Sequence, residues 1–405
     1  MNENDISRVM QNYIDNQEMS GGALLVRRGD RILYQNKWGY SNLEKKEEIS
    51  YDSIYRMMSM TKCITAVAVM ICVERNLIEL DAPLSRYIPE FSNMQVLDDE
   101  RYVFSPEKMK KLPFMLITFR MNKVKSKKAG REITIRDLLS HSAGIQQGIP
   151  GLLAMIKEKK QYDTLRDFIL HYTDHVLDFE PGCGTGYSPI AGFDILGYVV
   201  ELVSGKCFED FVQEEICQPL DMADTTFFLS KEQKKRLVDL YKRKKNTLIN
   251  VTGTKDDMRG VLHQKEVVFE HGCGGIYSTL QDYAKFGEML LCGGNYRGRR
   301  ILSEETVNLM HTEAPKMHLE PDPGLVWGLG MKIRQNPKKA GSPATEGTYG
   351  WSGAFGTHFF ISPQDKLEVV FMTNRSDIGG SGSYISSKIE ELVFGIWGGN
   401  QLDNG

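Results

Sequence analysis

Strand-like patterns lie near the two ends of this 405-residue chain, whereas helix-like patterns fill its middle. Residues 23–27 and 32–35 are rich in β-forming side chains and flank the turn-like sequence Arg-Gly-Asp-Arg, which predicts a hairpin. Three more strands are predicted at 326–333, 356–361 and 367–373. Because two strands and three strands make poor separate sheets, this distribution favours a single sheet built from both ends of the chain over two consecutive domains.

Helical periodicity predicts the remaining elements. The sequence MTKCITAVAVMICVERN at 60–76 is apolar nearly all round, which is typical of a buried helix. Other helices are predicted at 5–17, 135–139, 164–172, 190–204, 280–292, 303–311 and 384–397. We therefore predict an α/β (α+β) fold with an antiparallel sheet flanked by helices. In this fold 1–80 and 272–405 form the α/β domain, and 81–271 forms a mainly helical domain.

Residues 97–132 interrupt this periodicity. The segment is irregular and basic, and it includes the run KVKSKK at 123–128. Charge runs of this kind usually lie on a solvated face. We therefore interpret the segment as a solvated insertion loop rather than a binding patch.

Composition excludes several classes of partner. The chain has 50 Lys and Arg against 53 Asp and Glu, a net charge of −3, which leaves no footprint for nucleic acid or an acidic membrane surface. Its longest apolar stretch, at 64–73, is shorter than the roughly 18 residues that a membrane span requires. The N-terminus lacks the basic start and apolar stretch of a signal peptide, and the seven scattered cysteines are typical of reduced thiols. We therefore predict a cytoplasmic protein.

Several catalytic motifs are absent from the sequence. It contains no GxxxxGK[ST], GxGxxG, HExxH or CxxC pattern, and GxSxG fails because Ala354 stands at its fifth position. The histidines that we interpret as structural, because their spacing is too irregular for a metal site, are His141, His271, His311 and His358. These observations disfavour nucleotide-binding, zinc and α/β-hydrolase chemistry, and no metal or cofactor is predicted.

The remaining candidate is Ser59-Met60-Thr61-Lys62, at the start of the predicted buried helix. Residues three apart on a helix are surface neighbours, so Lys62 can reach the Ser59 hydroxyl. A lysine that enters an apolar helix face loses hydration, which favours the neutral amine, and a neutral amine can accept the serine proton. Ser59 also lies at a helix N-terminus, where unpaired backbone N–H groups favour developing negative charge.

This motif and four further stretches, in the same order, resemble the serine hydrolases related to class C β-lactamases, penicillin-binding D-alanyl peptidases and family VIII carboxylesterases. The stretches are ITIRDLLSHSAGI at 133–145, PGCGTGYSPIAGFDILGYVVELVSGK at 181–206, GCGGIYSTLQDYAKFGEML at 272–290 and YGWSGAFGTHFFISP at 349–363. The resemblance covers almost the whole chain. It implies a β-lactamase/transpeptidase-like fold with an active site between the α/β domain and the helical domain.

The resemblance also implies roles for individual residues. Ser59 would be the nucleophile that accepts the acyl group, Lys62 its base, and Tyr187 the group that passes a proton to the leaving group. The backbone N–H groups of Ser59 and Ala354 would form the oxyanion hole. The residues implied to bind the substrate are Trp351, Ser352, Gly353 and Pro189.

Two positions depart from the family pattern. Pro189 stands where the family usually has an asparagine that hydrogen-bonds the substrate amide, and Trp351 replaces the lysine that attracts a substrate carboxylate. Both changes weaken the case for penicillin chemistry and favour an apolar or aromatic acyl group or alcohol. We therefore predict a serine hydrolase that acts on small-molecule esters, or an acyltransferase that uses the same acyl-enzyme. The alternatives are a β-lactamase or D-alanyl-D-alanine peptidase, with an amide substrate, and a non-catalytic ligand-binding protein; no nucleic acid or membrane partner is predicted.

Overall fold

The computed structural model describes residues 1–158, 160–257, 268–312 and 322–399. The strands are β1 (Gly21–Arg28), β2 (Arg31–Asn42), β3 (Glu47–Glu48), β4 (Ile54–Arg56), β5 (Gln95–Leu97), β6 (Ser126–Lys128), β7 (Tyr241–Lys244), β8 (Thr247–Asn250), β9 (Tyr277–Thr279), β10 (Asn295–Tyr296), β11 (Arg299–Arg300), β12 (Leu325–Trp327), β13 (Lys332–Arg334), β14 (Tyr349–Ser352), β15 (His358–Ser362) and β16 (Leu367–Thr373). The main sheet has eight strands in the order β12-β13-β14-β15-β16-β1-β2-β3, and its neighbouring strands are antiparallel.

The two ends of the chain meet at the centre of this sheet. Gly22 of β1 lies opposite Thr373 of β16, which confirms the prediction of one antiparallel sheet built from both ends. The strand predicted at 326–333 is instead a tight hairpin, in which Gly328 and Gly330 separate β12 from β13. Residue patterns did not predict β14, and only the family resemblance implied that Trp351, Ser352 and Gly353 lie on a strand that lines the site.

The helices are α1 (Glu3–Asp15), α2 (Thr61–Glu74), α3 (Pro106–Lys110), α4 (Leu112–Thr118), α5 (Ile135–Leu139), α6 (Ile149–Lys157), α7 (Leu165–Leu170), α8 (Ala191–Ser204), α9 (Phe208–Val212), α10 (Lys231–Lys235), α11 (Leu280–Leu291), α12 (Glu304–Met310), α13 (Pro337–Ala340) and α14 (Tyr384–Trp397). Short 3₁₀ helices span Met58–Met60, Leu84–Arg86, Pro89–Asn93, Met121–Lys123 and His171–Asp174, and a π-helical turn spans Gln213–Cys217. Each predicted helix is present, with its ends displaced by a turn or less. Within the described parts of the chain, no helix combines the length and apolar character that crossing a membrane would need.

The central strands of the sheet are buried on both faces. In β1, Ala23 and Leu25 face the larger core, whereas Leu24 and Val26 face a smaller core covered by α1 and α14. This alternation follows from the two-residue period of a strand. The helix α2 lies inside the larger core, and its residues from Thr61 to Cys72 are all buried, as the all-round apolar sequence predicts.

The 97–132 segment is more ordered than its sequence suggests. It contains α3 and α4, and its β6 pairs with β5. Its small core is formed by Tyr102, Phe119, Val124, Ile149, Leu153 and Val176. These two helices were not predicted because α3 is mostly charged and α4 is apolar at nearly every position, so neither shows a helical period. The division into domains at 80/81 and 271/272 stays a prediction, and 258–267, 313–321 and 400–405 of those domains lie outside the described residues.

Candidate active site

Ser59 lies in the 3₁₀ turn Met58–Met60, which leads directly into α2. The φ angle of Met58 is +49°, a left-handed conformation that is uncommon outside glycine and that clusters at functional sites. Ser59 is half-buried, whereas the helix that follows it is buried. The serine hydroxyl is thus placed at the accessible N-terminal end of a long buried helix, where the helix dipole favours negative charge.

Tyr187 makes the direct side-chain contact with Ser59. The Tyr187 hydroxyl donates a hydrogen bond to Ser59 Oγ at 2.6 Å. Trp351 Nε1 in turn donates to the Tyr187 hydroxyl at 3.3 Å, and the two rings are 5.0 Å apart. A distance of 2.6 Å between two hydroxyl oxygens is short enough for a proton to pass between them.

Lys62 is fully buried one helical turn beyond Ser59. Its Nζ donates to the backbone carbonyls of Pro189 and Cys273, each at 2.8 Å, and lies 5.2 Å from the centre of the Tyr187 ring. Within the described chain these two carbonyls, and not Ser59 Oγ, accept its hydrogen bonds. Besides its bond to Cε, the tetrahedral nitrogen has three positions, and the N–H groups that point to these two carbonyls take two of them. The remaining position holds a lone pair in the neutral amine or an N–H in the ammonium ion.

The segment 272–276 runs along the first turns of α2 and presents the Cys273 carbonyl to Lys62. Thr65 Oγ1 donates to the Gly272 carbonyl at 2.7 Å, and the Ile276 N–H donates to Thr61 Oγ1 at 3.1 Å. A Cβ atom at Gly272 would collide with the Phe193 carbonyl. Glycine therefore allows this segment to pass close to α8 while it runs along α2.

Asp194 supports the same segment from α8. Its Oδ1 accepts the Cys273 N–H at 2.8 Å, and its Oδ2 lies 2.8 Å from His271 Nδ1. Asp194, His271 and Cys273 are buried, and their ligand atoms lie within 4.8 Å of one another, which is the spacing of a metal site. Both carboxylate oxygens, however, already have protein partners, and burial raises the pKa of the Cys273 thiol well above its usual value, which opposes the thiolate that a metal needs. The cluster is better explained as a hydrogen-bonded support for the lysine-binding carbonyl.

Gly353 brings the end of β14 against the turn that carries Ser59. A Cβ atom at this position would collide with the Met57 carbonyl oxygen, so only glycine permits the approach. Ala354 follows in an exposed turn, and its N–H has no acceptor among the described residues. A free N–H beside the serine turn is the type of donor that stabilises an oxyanion.

The structure corrects the grouping of Ser352 with the substrate-binding residues. Neighbouring side chains of a strand point to opposite faces, and Trp351 contacts Tyr187. Ser352 Oγ instead lies 2.7 Å from Nδ1 of the buried His358, whose Nε2 lies 3.1 Å from Glu390 Oε1. The Ser352 side chain therefore belongs to a polar network behind the sheet.

Two aromatic residues beside Tyr187 were not predicted to line the site. The Trp327 ring stacks on the Tyr187 ring at 5.9 Å and meets the Trp351 ring edge-on at 4.5 Å. His141 Nδ1 accepts the Ser188 N–H at 3.1 Å, and its ring lies 4.2 Å from Trp327. Burial lowers the pKa of His141 well below its usual value, so this ring is neutral and acts in packing. In the sequence, the only signals at Trp327 and His141 are the short stretches WGLG at 327–330 and HSAG at 141–144.

A lysine also approaches the tryptophans from the neighbouring strand. Lys332 lies opposite Gly350, and its Nζ is 5.4 Å from the Trp327 ring and 5.7 Å from the Trp351 ring. The same amine forms an ion pair with the half-exposed Asp322. A cation is therefore present near Trp351 although the family's lysine is missing from that position, but a carboxylate of the chain already pairs with it.

A cavity of about 180 Å³ opens beside Tyr187 and Pro189. Its other lining residues are Phe104, Met109, Gln146, Gln147, Gly148 and Leu152. Phe104 and Met109 belong to the 97–132 segment, which thus supplies one wall. Apart from the two amides the lining is largely apolar, which suits a hydrocarbon chain better than a charged group.

Comparison with known proteins extends these observations. A family model described as Beta-lactamase matches residues 6–391. The chain is 26% identical to Esterase EstB of Burkholderia gladioli, over 93% of this chain and 91% of EstB. It is 23% identical to the D-alanyl-D-alanine-carboxypeptidase/endopeptidase AmpH of Escherichia coli strain K12, over 95% of this chain and 86% of that protein.

The solved structures agree with the family match. The chain superposes on EstCE1, described as a hydrolase with promiscuous acyltransferase activity, with a TM-score of 0.75. That alignment covers 96% of this chain and 97% of EstCE1 at 24% sequence identity, so it bears on the fold. The family model spans nearly all of the chain, including the stretches around Ser59, Tyr187 and Trp351. The chain belongs to the beta-lactamase family of serine hydrolases.

Proposed function

We propose that this protein is an esterase or acyltransferase that acts on small-molecule esters through an acyl-enzyme on Ser59. The observation that carries the proposal is the 2.6 Å hydrogen bond between the Tyr187 hydroxyl and Ser59 Oγ, beside the buried Lys62 amine. A serine hydroxyl that is hydrogen-bonded to a phenol hydroxyl, with an amine close to the phenol ring, has the parts of an activated nucleophile. EstB, a relative with esterase in its name, adds support.

In the acylation step, Ser59 Oγ attacks the ester carbonyl carbon. A bond forms between Oγ and this carbon, the serine proton passes to Lys62 as base through the Tyr187 hydroxyl, and the carbonyl oxygen becomes an oxyanion. The N–H groups of Ser59 and Ala354 would donate to that oxyanion. When the intermediate collapses, the bond between the carbon and the alcohol oxygen breaks, and Tyr187 returns a proton to the leaving alcohol.

In the second step, a water or an acceptor alcohol attacks the acyl carbon of the acyl-enzyme. Tyr187 takes its proton, the bond to Ser59 Oγ breaks, and the proton returns to the serine. Water gives hydrolysis, whereas an alcohol gives acyl transfer. Since both reactions share one acyl-enzyme, the ratio of the two products depends on which acceptor fits the site.

The aromatic wall and the cavity support an uncharged ester as the substrate. Trp351 and Trp327 present apolar rings around Tyr187, and Phe104 and Met109 add to the apolar lining. Rings of this kind bind hydrocarbon or aromatic groups through burial of apolar surface. Pro189, in place of an asparagine, has no side-chain donor for a substrate amide.

One observation favours the alternative of a β-lactamase or D-alanyl-D-alanine peptidase. The Lys332 amine lies within 6 Å of both tryptophan rings and would attract a carboxylate if Asp322 released it. The similarity to AmpH points in the same direction. Nitrocefin hydrolysis, or stable labelling by a fluorescent penicillin, faster than turnover of an uncharged ester would favour this alternative.

Intact-protein mass spectrometry tests the proposal. The protein is mixed with p-nitrophenyl butyrate, and separately with a fluorophosphonate, and quenched with acid. We expect an added butyryl mass, a burst of p-nitrophenol and one phosphonate adduct. Ser59→Ala should remove all three and lower the turnover by about 10³-fold or more.

The matched control is Ser387→Ala, which removes an exposed serine of α14 and should leave adduct and turnover unchanged. If Ser59→Ala retains the turnover or the adduct of the natural protein, the proposal is wrong. If the natural protein forms no adduct but binds esters tightly, the non-catalytic alternative applies.

A further inference from the structure

The most uneven charge distribution in the chain lies in residues 108–128, which we call the basic segment. It contains eight Lys or Arg residues and no Asp or Glu, in a chain with a net charge of −3. Its exposed cationic residues are Lys110, Lys111, Arg120, Lys123, Lys125, Lys127 and Lys128. Lys127 lies 3.6 Å from Asp98, an exposed contact that salt weakens. The segment is therefore a local positive patch on a slightly acidic protein.

The helix α4 adds a hydrophobic face to this patch. Phe114 and Ile117 lie one helical turn apart and are 76% and 72% exposed. These are the two largest exposed fractions among the large apolar side chains of the described residues. Leu112, Met115 and Leu116, on the other side of the helix, pack against the small core of the segment. The helix is thus apolar on two faces, and its fold uses only one of them.

The packing of α4 against the small core fixes which of its faces is exposed. Tyr102 and Phe119 form an edge-on pair at 5.6 Å within the small core. The Phe119 carbonyl also accepts a hydrogen bond from Lys157 Nζ at 2.8 Å, which ties the end of α4 to α6. Because the segment is held in this way, Phe114 and Ile117 remain directed away from its core. A solvated loop, as the charge run suggests, does not account for them.

We propose that the basic segment docks this protein on an anionic lipid surface, with Phe114 and Ile117 inserted between the headgroups. Short helices with exposed apolar residues among lysines bind at the membrane interface, where burial of apolar area and attraction to anionic lipid add together. The eight cations of the segment outnumber the acids beside them, Asp98 and Glu107, and match a surface of lipid phosphates. The charge of the patch thus selects the lipid surface over a second copy of this chain, which would bring two like-charged patches together.

The patch adjoins the cavity beside Tyr187 and Pro189. Met109, in the basic segment, and Phe104, just before it, line that cavity together with Tyr187. Docking through α4 would therefore place one wall of the cavity at the lipid surface. This would bring apolar esters that partition into the lipid close to the site, although docking itself does not depend on the chemistry of Ser59.

Vesicle sedimentation tests the proposal. The full chain is mixed with phosphatidylcholine vesicles that do or do not contain phosphatidylglycerol, at low and at high salt. We expect sedimentation with the anionic vesicles only, reduced by salt. The double variants Lys110→Glu/Lys111→Glu and Phe114→Ser/Ile117→Ser should each lower the partition coefficient at least about tenfold. Their thermal unfolding and their turnover of a water-soluble ester should match those of the natural protein.

Matched controls distinguish this surface from general charge or apolarity. Lys231→Glu/Lys234→Glu changes two exposed lysines of α10, and Phe228→Ser removes a 41% exposed phenylalanine elsewhere, so both should sediment like the natural protein. Equal sedimentation with neutral and anionic vesicles, or none with either, would overturn the proposal. So would a dimer in light scattering that Phe114→Ser/Ile117→Ser dissociates, because the face would then be an interface between copies. The readout does not involve catalysis, so an inactive Ser59→Ala protein should bind vesicles equally well.

Discussion

The two sides of Ser59 are built in different ways. On one side, Lys62, Cys273 and Asp194 are buried and joined by hydrogen bonds of 2.8 Å. On the other side, the Trp351 and Trp327 rings lie 5.0 and 5.9 Å from the Tyr187 ring and 4.5 Å from each other. Tyr187 also lines an open cavity. We refer to these as the polar side and the aromatic side.

The difference suggests a division of labour. On the polar side, Lys62 Nζ and the Cys273 N–H donate to buried acceptors, so the loss of one acceptor leaves a desolvated donor and displaces the lysine. On the aromatic side, contacts are dispersive and non-directional, so a ring of similar size can replace another at small cost. We therefore expect substitutions on the polar side to lower kcat, and substitutions on the aromatic side to change which substrate is preferred.

Among the substitutions that compare the two sides, Asp194→Asn is expected to have the largest effect on turnover. The carboxylate accepts from both Cys273 N–H and His271 Nδ1, whereas the amide of asparagine offers one oxygen and leaves one buried donor unpaired. A buried unpaired group costs about 1–3 kcal/mol. Part of this cost should appear as a displaced Cys273 carbonyl, with kcat for p-nitrophenyl butyrate lowered about 10- to 100-fold and KM little changed.

A positioning role for Asp194 also predicts an altered pH profile of kcat, because the carbonyl that holds Lys62 moves. Asp174→Asn, at an exposed position, is the matched control and should leave kcat unchanged. A variant that loses thermal stability but retains kcat and its pH profile would show that Asp194 supports only the fold, and the division between the two sides would fail.

A smaller effect is expected from Trp351→Phe on the aromatic side. The substitution keeps an aromatic ring beside Tyr187 but removes the 3.3 Å hydrogen bond from Nε1 to the Tyr187 hydroxyl. The loss of one neutral hydrogen bond corresponds to about 1 kcal/mol, or roughly fivefold in kcat/KM. A series of p-nitrophenyl esters of increasing chain length should also show a changed preference, since the wall of the site is reshaped.

Trp38→Phe, on the other face of the sheet, is the control for a general loss of tryptophan and should leave the ester series unchanged. A uniform fall of kcat across all chain lengths in Trp351→Phe, as large as that in Asp194→Asn, would contradict the contrast between the sides.

Much of the fold could be predicted because local patterns encode it. The apolar run of α2 and the β-rich ends of the chain each carry their own signal, and these ends predicted a single antiparallel sheet without its strand order. The hairpin β12–β13 was predicted as one strand because each of its arms has only three residues. The helices α3 and α4 were missed because the first is mostly charged and the second is apolar at nearly every position, so neither shows a helical period. The cytoplasmic location stays a prediction.

The site was predicted only in part, for a related reason. Ser59 lies in the 3₁₀ turn that leads into α2 and Lys62 in the first turn of that helix, so their spacing alone predicts that they are neighbours. Lys332 reaches Trp351 through strand pairing, and Asp194 reaches Cys273 across 79 positions of the chain, so no local spacing reveals either contact. Ser352 was assigned to the site with its neighbours because the resemblance implies a strand there but does not say which face of the sheet each side chain takes.

The smallest effect concerns acid. Burial holds the pKa of His141, on the aromatic side, well below 6.5, whereas the unfolded chain binds a proton near that pH. Below about pH 6.5 the unfolded state therefore binds more protons than the folded state. As the pH decreases, this residue lowers the free energy of unfolding by at most about 1.4 kcal/mol per pH unit. His141→Asn keeps an acceptor for the Ser188 N–H but cannot titrate, so its urea-unfolding free energy should decline less steeply between about pH 6.5 and pH 5. An unchanged slope would mean that His141 is protonated in the folded protein at no cost, and that the aromatic side is wetter than its packing indicates.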